Sequence, residues 1–180
     1  MTNRCTGMFQ VPSNIIIIGD THAAALGRLP QEMLRAIRQA DWVIHVGDYT
    51  SKDVLDGLVK LKGERFRGVH GNADPRAIRN EVPAKDILEV QGKRIGITHP
   101  ASGGDDDDVE ERVMAEFKND GVDAIVHGHT HDSKIVMLGG IWLISPGKGY
   151  LEKSHFGSPT SLAIMTVGET ITGKICEVHC

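Results

Sequence analysis

An α/β fold of two packed sheets with helices outside them is predicted by three features of this sequence. The first half alternates strand-sized apolar runs with helical patterns, in the order βαβαβ. The second half is mostly short apolar runs joined by glycine-containing turns, the signature of antiparallel hairpins. No repeat, low-complexity linker or composition break divides the chain. At 180 residues it fits one domain, whose core can bury roughly two thirds of the unfolded surface. We therefore expect a single domain over residues 15–180, preceded by a flexible extension over residues 1–14.

The run Ile15-Ile16-Ile17-Ile18 is too uniformly apolar to have a wet face, so it reads as a central strand covered on both sides. Gly19-Asp20-Thr21-His22 follows at once. Pro30 opens a helical stripe of Met33, Leu34, Ile37 and Ala40, proline being tolerated at a first helical position. Trp42-Val43-Ile44-His45-Val46 repeats the strand and ends in Gly47-Asp48. Ser51 can cap a helix carrying Val54, Leu55, Leu58 and Leu61. Residues 66–70 make a third strand, followed by Gly71-Asn72-Ala73-Asp74 and a short helix after Pro75.

Residues 87–90 and 94–98 then flank Gln91-Gly92-Lys93 as a hairpin, whose second strand ends in His99. Asp105-Asp106-Asp107-Asp108 with Glu110 and Glu111 lacks the glycine and ligand spacing of a calcium loop. It reads instead as acid gathered at a helix start, where the macrodipole favours it. Val109, Val113, Met114 and Phe117 give that helix its buried face, and Gly121 is expected to end it. Ala124-Ile125-Val126 leads into the histidine loop. Gly139-Gly140 joins 134–138 to 141–145, and Gly168-Glu169 joins 162–167 to 170–178. Both junctions suit tight turns with positive φ.

The composition is 40% hydrophobic and 24% charged, with 20 basic against 24 acidic residues and a formal charge of −4. That balance argues against a nucleic-acid-binding surface. No apolar run approaches the roughly 20 residues of a membrane span, and residues 1–14 contain no signal-peptide core, so a cytoplasmic protein is expected. Cys5, Cys176 and Cys180 are odd in number and lack Cys-x-x-Cys spacing, which argues against a disulfide framework or zinc ribbon. The motifs of P-loop nucleotide hydrolases, dinucleotide-binding folds and serine-nucleophile elbows are missing.

In βαβ units functional residues gather beyond the carboxyl ends of the strands. Collected there are Asp20, His22, Asp48, Asn72 and His99, and, from His127-Gly128-His129-Thr130-His131, the imidazoles of His129 and His131. Seven ligand-type side chains suit two metal ions with one carboxylate shared between them, for which Asp48 is the candidate. Mixed carboxylate, imidazole and amide ligands favour manganese, nickel, cobalt, iron or zinc over calcium, and manganese is the first expectation. Such a pair lowers the pKa of a bridging water from about 15.7 towards about 7 and neutralises a phosphoryl oxygen. Phosphoester hydrolysis by attack of that hydroxide is the natural chemistry.

Asp20-x-His22, Gly47-Asp48, Gly71-Asn72-x-Asp74, a lone His99 and Gly128-His129-Thr130-His131, in that order, resemble the calcineurin-like metallophosphoesterases. Short length and Asp74 resemble the small phosphodiesterase branch with YfcE-type and archaeal members, to which the retromer subunit Vps29 is related. The resemblance runs from about Ile15 to the C-terminus. It implies a four-layer α-β-β-α sandwich of two mixed sheets. It implies one metal on Asp20, His22, Asp48 and His131, and another on Asp48, Asn72, His99 and His129. Asp48, Asn72 and His99 would act in catalysis through the metals and the bound phosphate.

Three positions depart from the family pattern. Ala73 stands where many relatives have a histidine that protonates the leaving group, which favours diesters or activated esters. Pro100 follows the lone histidine in place of glycine, and Ser145-Pro146-Gly147-Lys148 replaces Asn-Pro-Gly-Ser. Lys148 is expected in solvent, with phosphate binding as its alternative. Asp74 is expected to bond a ligand such as His22 or to cap the short helix, and His127 to orient the ligand loop from behind. His70, which also adjoins a ligand loop, shares that expectation, and His45, His155 and His179 read as structural or solvated. The leading function is therefore a metal-dependent phosphodiesterase acting on a small phosphoester. A Vps29-like binding scaffold and a nuclease are the alternatives, and apolar edge strands leave a homodimer open.

Overall fold

Four consecutive isoleucines need cover on both faces, and the chain supplies it. The computed structural model describes residues 11–100, 108–150 and 158–179. Its elements are β1 (Ser13–Ile18), α1 (Gln31–Gln39), β2 (Trp42–His45), α2 (Lys52–Lys62), β3 (Phe66–Gly68), α3 (Arg76–Arg79), β4 (Lys85–Val90) and β5 (Lys93–Thr98). There follow α4 (Val109–Glu116), β6 (Ala124–His127), β7 (Ser133–Leu138), β8 (Ile141–Pro146), β9 (Ser161–Val167) and β10 (Ile171–Glu177).

One sheet has the order β10-β9-β1-β2-β3 and the other β4-β5-β6-β8-β7. Strands β1, β2 and β3 run parallel, as do β5, β6 and β8, and the remaining strands pair antiparallel at the flanks. Side chains alternate across a strand, so Ile15 and Ile17 pack between the sheets with Ile44, Ile95, Ile97, Val126 and Met165. Ile16 and Ile18 face the other way, onto Met33, Leu34 and Ile37 of α1 and Val54, Leu55 and Leu58 of α2. On the far side Ile125 and Leu143 meet Val109, Val113 and Phe117. The result is helix, sheet, sheet, helix: the four-layer sandwich. No helix among the described residues is long and apolar enough to cross a membrane.

Several boundaries move. Ser13 and Asn14 pair with Val167 and Thr166 of β9, so β1 takes in the end of the expected extension, whose first ten residues lie outside the described ones. Ser51 caps α2 through its Oγ, which accepts from Asp53 N at 3.3 Å, but Leu61 in the last turn stays exposed. Helix α4 ends at Glu116, not near Gly121; buried Phe117 follows as its C-cap, and a run of turns carries the chain on. Glu110 and Glu111 occupy its first turn, while Asp105, Asp106 and Asp107 lie outside the described residues, as do Cys5, His155 and Cys180.

Gln91-Gly92 and Gly139-Gly140 both turn with positive φ, at 54° and 74° and at 58° and 84°. The last hairpin does not: Val167 pairs with Ile171, leaving a three-residue loop in which neither Gly168 nor Glu169 has positive φ. A longer loop can reverse the chain without the mirror-image turn that a two-residue connection requires.

Candidate metal centre

The parallel strands of both sheets deliver their polar loops to one end of the sandwich. Asp20 and His22 follow β1, Asp48 follows β2, Asn72 follows β3, His99 follows β5, and His129 and His131 follow β6. Backbone bonds stitch the loops together: Asp20 N donates to Gly47 O at 2.9 Å, His22 N to Asp48 O at 3.2 Å, and His129 N to Asp20 Oδ2 at 3.2 Å. Seven non-glycine residues among those described have positive φ, and five of them are Asp20, His22, Asp48, His129 and His131. Such backbone costs about 1–3 kcal/mol per residue, and here it aims ligand-type side chains inward.

The glycines that precede these residues answer a packing demand. A Cβ on Gly71 would lie 2.1 Å from Asp48 Oδ1, and one on Gly47, whose φ is +100°, would lie 2.6 Å from His99 Nδ1. The Gly-Asp and Gly-Asn pairs of the sequence thus record backbone running against neighbouring ligand side chains.

Asp48 Oδ2 lies 3.8 Å from His22 Nε2 and 3.6 Å from His99 Nε2. Asn72 Oδ1 lies 3.1 Å from both His99 Nε2 and His129 Nδ1. His131 Nε2 is 3.3 Å from Asp20 Oδ1. Ligand atoms of Asp20, His22 and His131 fall within 4.8 Å of one another, as do those of Asp20, Asp48 and His99. Asp20 therefore reaches both groups, and so does Asp48, whose Oδ2 lies near both His22 and His99.

These atoms fit metal ions. His99 Nδ1 is 2.7 Å from Val46 O, which can only accept, so Nδ1 carries a proton and Nε2 is the ring atom that faces Asn72 Oδ1 and Asp48 Oδ2. Buried Asp20 Oδ1 and His22 Nε2 have no hydrogen-bond partner. Buried acceptors left without donors are stabilised by cations. Burial by itself would raise the Asp20 carboxyl, but His131, His99 and the His129 N–H together hold it below its ordinary value. Asp20 in turn raises His131 against the effect of burial.

Behind the ligands, Asp74 bonds neither His22 nor the start of α3 among the described residues. Its Oδ2 accepts from Asp48 N (2.9 Å) and Gly71 N (2.8 Å), and its Oδ1 from Thr50 N (2.8 Å). One carboxylate thereby fixes two ligand loops. Asp48 Oδ1 accepts from Ala73 N at 2.8 Å. His127 shares the face of Ile125, turned to α4, with its Nδ1 3.4 Å from Gly128 O. Lys148 is not in solvent: it is 5% exposed, with Nζ 5.2 Å from the Tyr150 ring centroid. Its burial beside the Tyr150 ring is not visible in a sequence window.

His45, read as structural or solvated, supports the site from the core. Its Nδ1 accepts from Gly47 N at 3.2 Å and its Nε2 donates to Thr21 Oγ1 at 3.0 Å, so the ring bridges the loops of Asp20 and Asp48. Burial lowers its pKa from 6.5 to about 3, against the attraction of Asp20. The unfolded chain therefore binds the extra proton between those values, and the stability contributed by neutral His45 is lost as pH falls below 6.5. We expect a loss of about 2 kcal/mol from pH 6.5 to 5 attributable to this ring. Urea melts of metal-free wild type and His45→Asn across pH 5–8 check it: the variant should show the shallower acid slope, and equal slopes would contradict it.

The profile of the calcineurin-like phosphoesterase superfamily domain matches residues 14–170. A probable metallophosphoesterase of Methanocaldococcus jannaschii is 31% identical over 154 residues, covering 82% of this chain and 74% of that relative. Among solved structures, Vps29 from Cryptosporidium parvum superposes with a TM-score of 0.75 at 19% identity, covering 94% of this chain and 93% of its own. An archaeal phosphodiesterase superposes with a TM-score of 0.65 at 21% identity, covering 91% and 99%. At those identities the two structures speak for the fold. With the profile running from β1 past β9 and taking in all seven converging side chains, the chain belongs to the calcineurin-like phosphoesterase superfamily.

Proposed function

We propose that the chain is a dinuclear metal-dependent phosphodiesterase. The observation that carries this reading is the convergence of ligand atoms of Asp20, His22, Asp48, His99 and His131, with buried Asp20 Oδ1 and His22 Nε2 left without a hydrogen-bond partner. In this reading Asp20, His22, Asp48 and His131 hold one divalent ion and Asp48, Asn72, His99 and His129 the other, manganese being the first choice. Bound there, the two ions supply an activated water at neutral pH and charge neutralisation for a phosphoryl oxygen.

The chain's own residues set the geometry. Asp48, held at Oδ1 by Ala73 N, places its other oxygen between His22 and His99. Val46 O fixes the His99 ring, and Asn72 presents its amide oxygen to His99 and His129. Ala73 is exposed beside Asn72 and offers no proton to a leaving group. A poor leaving group thus departs unaided, which favours diesters and activated esters. The fold neighbour described as an archaeal phosphodiesterase agrees with that preference.

The test is hydrolysis of a chromogenic phosphodiester and the matching monoester by chelator-stripped protein, with manganese, nickel, cobalt, zinc or magnesium restored singly. A metal-dependent diester rate at least about tenfold above the monoester rate is expected. A monoester preference would contradict the role given to Ala73. No turnover with any metal would favour a protein-binding scaffold of the Vps29 kind.

A further inference from the structure

We propose that Tyr150 positions His22 and His131, so that one ion of the pair depends on a side chain the other does not need. The inference rests on the dinuclear reading. The three rings form a triangle. Tyr150 stands edge-on to His22, with centroids 5.4 Å apart at 87°, and to His131, at 5.8 Å and 80°, while His22 and His131 meet at 5.5 Å and 65°. The Tyr150 hydroxyl oxygen is 3.5 Å from His131 Nδ1. Were Nε2 to ligate an ion, the ring proton would sit on Nδ1, where that oxygen can accept it.

His99 is held differently from His22 and His131. The side chain of His99 is 0% exposed and is fixed by a backbone carbonyl at 2.7 Å. Those of His22 and His131 are 28% and 37% exposed, so packing at their open flank must restrict their rotamers. Tyr150 provides that flank, and its own backbone is anchored on either side. Gly149 N donates to Asp20 O at 3.2 Å, and Thr160 Oγ1 donates to Tyr150 O at 2.6 Å. The sequence gives no hint of this, since Tyr150 lies beyond the motifs and close to His22 only in space.

Calorimetric titration of chelator-stripped protein with manganese alone tests the proposal, using wild type, Tyr150→Ala and Tyr150→Phe. Wild type should bind two ions. In Tyr150→Ala one affinity should fall by about 10–100-fold, while the other, and the melting temperature of the metal-free protein, stay unchanged. Tyr150→Phe keeps the ring and loses the acceptor, so the same ion should weaken by a smaller factor; it decides the question should the alanine variant fail to fold. Unchanged affinities in the variants, or a parallel loss of both ions, would overturn the positioning role. Wild type binding fewer than two ions would overturn the dinuclear reading and the inference with it.

Discussion

Asp48→Ala is expected to lower the metal-dependent hydrolysis rate by roughly a hundredfold or more. Asp48 is 3% exposed, and one of its oxygens lies within 4 Å of an imidazole from each half of the site, His22 at 3.8 Å and His99 at 3.6 Å. Two cations about 3.5–4 Å apart repel each other, and an anion between them offsets that repulsion. Alanine removes both the ligand and the charge. Asp48→Asn separates them, since an amide oxygen can still accept from Ala73 N and preserve the loop, so a similar loss in that variant would locate the effect in the charge. Steady-state rates at saturating metal, with circular dichroism to confirm folding, are the measurement. A rate within tenfold of wild type would remove Asp48 from the centre of the mechanism.

Asp74→Ala is expected to damage the fold of the site itself. Its two oxygens accept from three backbone N–H groups, those of Asp48, Thr50 and Gly71, and the residue is 3% exposed. Each buried donor left without an acceptor costs about 1–3 kcal/mol, so a destabilisation of at least about 3 kcal/mol follows. For a domain of this size that corresponds to a fall in melting temperature of roughly 6–12 °C. Asp74→Asn retains one acceptor oxygen and should fall between wild type and the alanine variant. Thermal melts of the metal-free proteins decide it. A shift below about 2 °C for the alanine variant would show that water replaces the carboxylate at little cost.

Much of this was legible in the residues. The Ile15-Ile18 run predicts a strand with two covered faces, and the chain packs alternate isoleucines into two separate cores. Polar residues directly after each parallel strand predict a common rim, because parallel strands end on the same side. Other features carry no local mark. That β9 pairs with β1, joining Ser13 to Val167, depends on which apolar edge finds which, and the hydrophobic pattern is silent on partners. The three donors to Asp74 are backbone groups, which every residue possesses, so no side-chain pattern announces them. His45 looks like any histidine in an apolar run until Thr21 and Gly47 are brought against its two nitrogens. Lys148 reads as a surface cation, and only the folded chain buries it beside the Tyr150 ring.

The central claim is that seven side chains from five strand ends hold two ions sharing a carboxylate. Anomalous diffraction from crystals soaked in manganese addresses it directly. The account predicts two peaks about 3.5–4 Å apart with an Asp48 oxygen between them. One ligand set should comprise Asp20, His22 and His131, and the other Asn72, His99 and His129. A single peak, or ions bound elsewhere while these side chains keep their metal-free contacts, would contradict it.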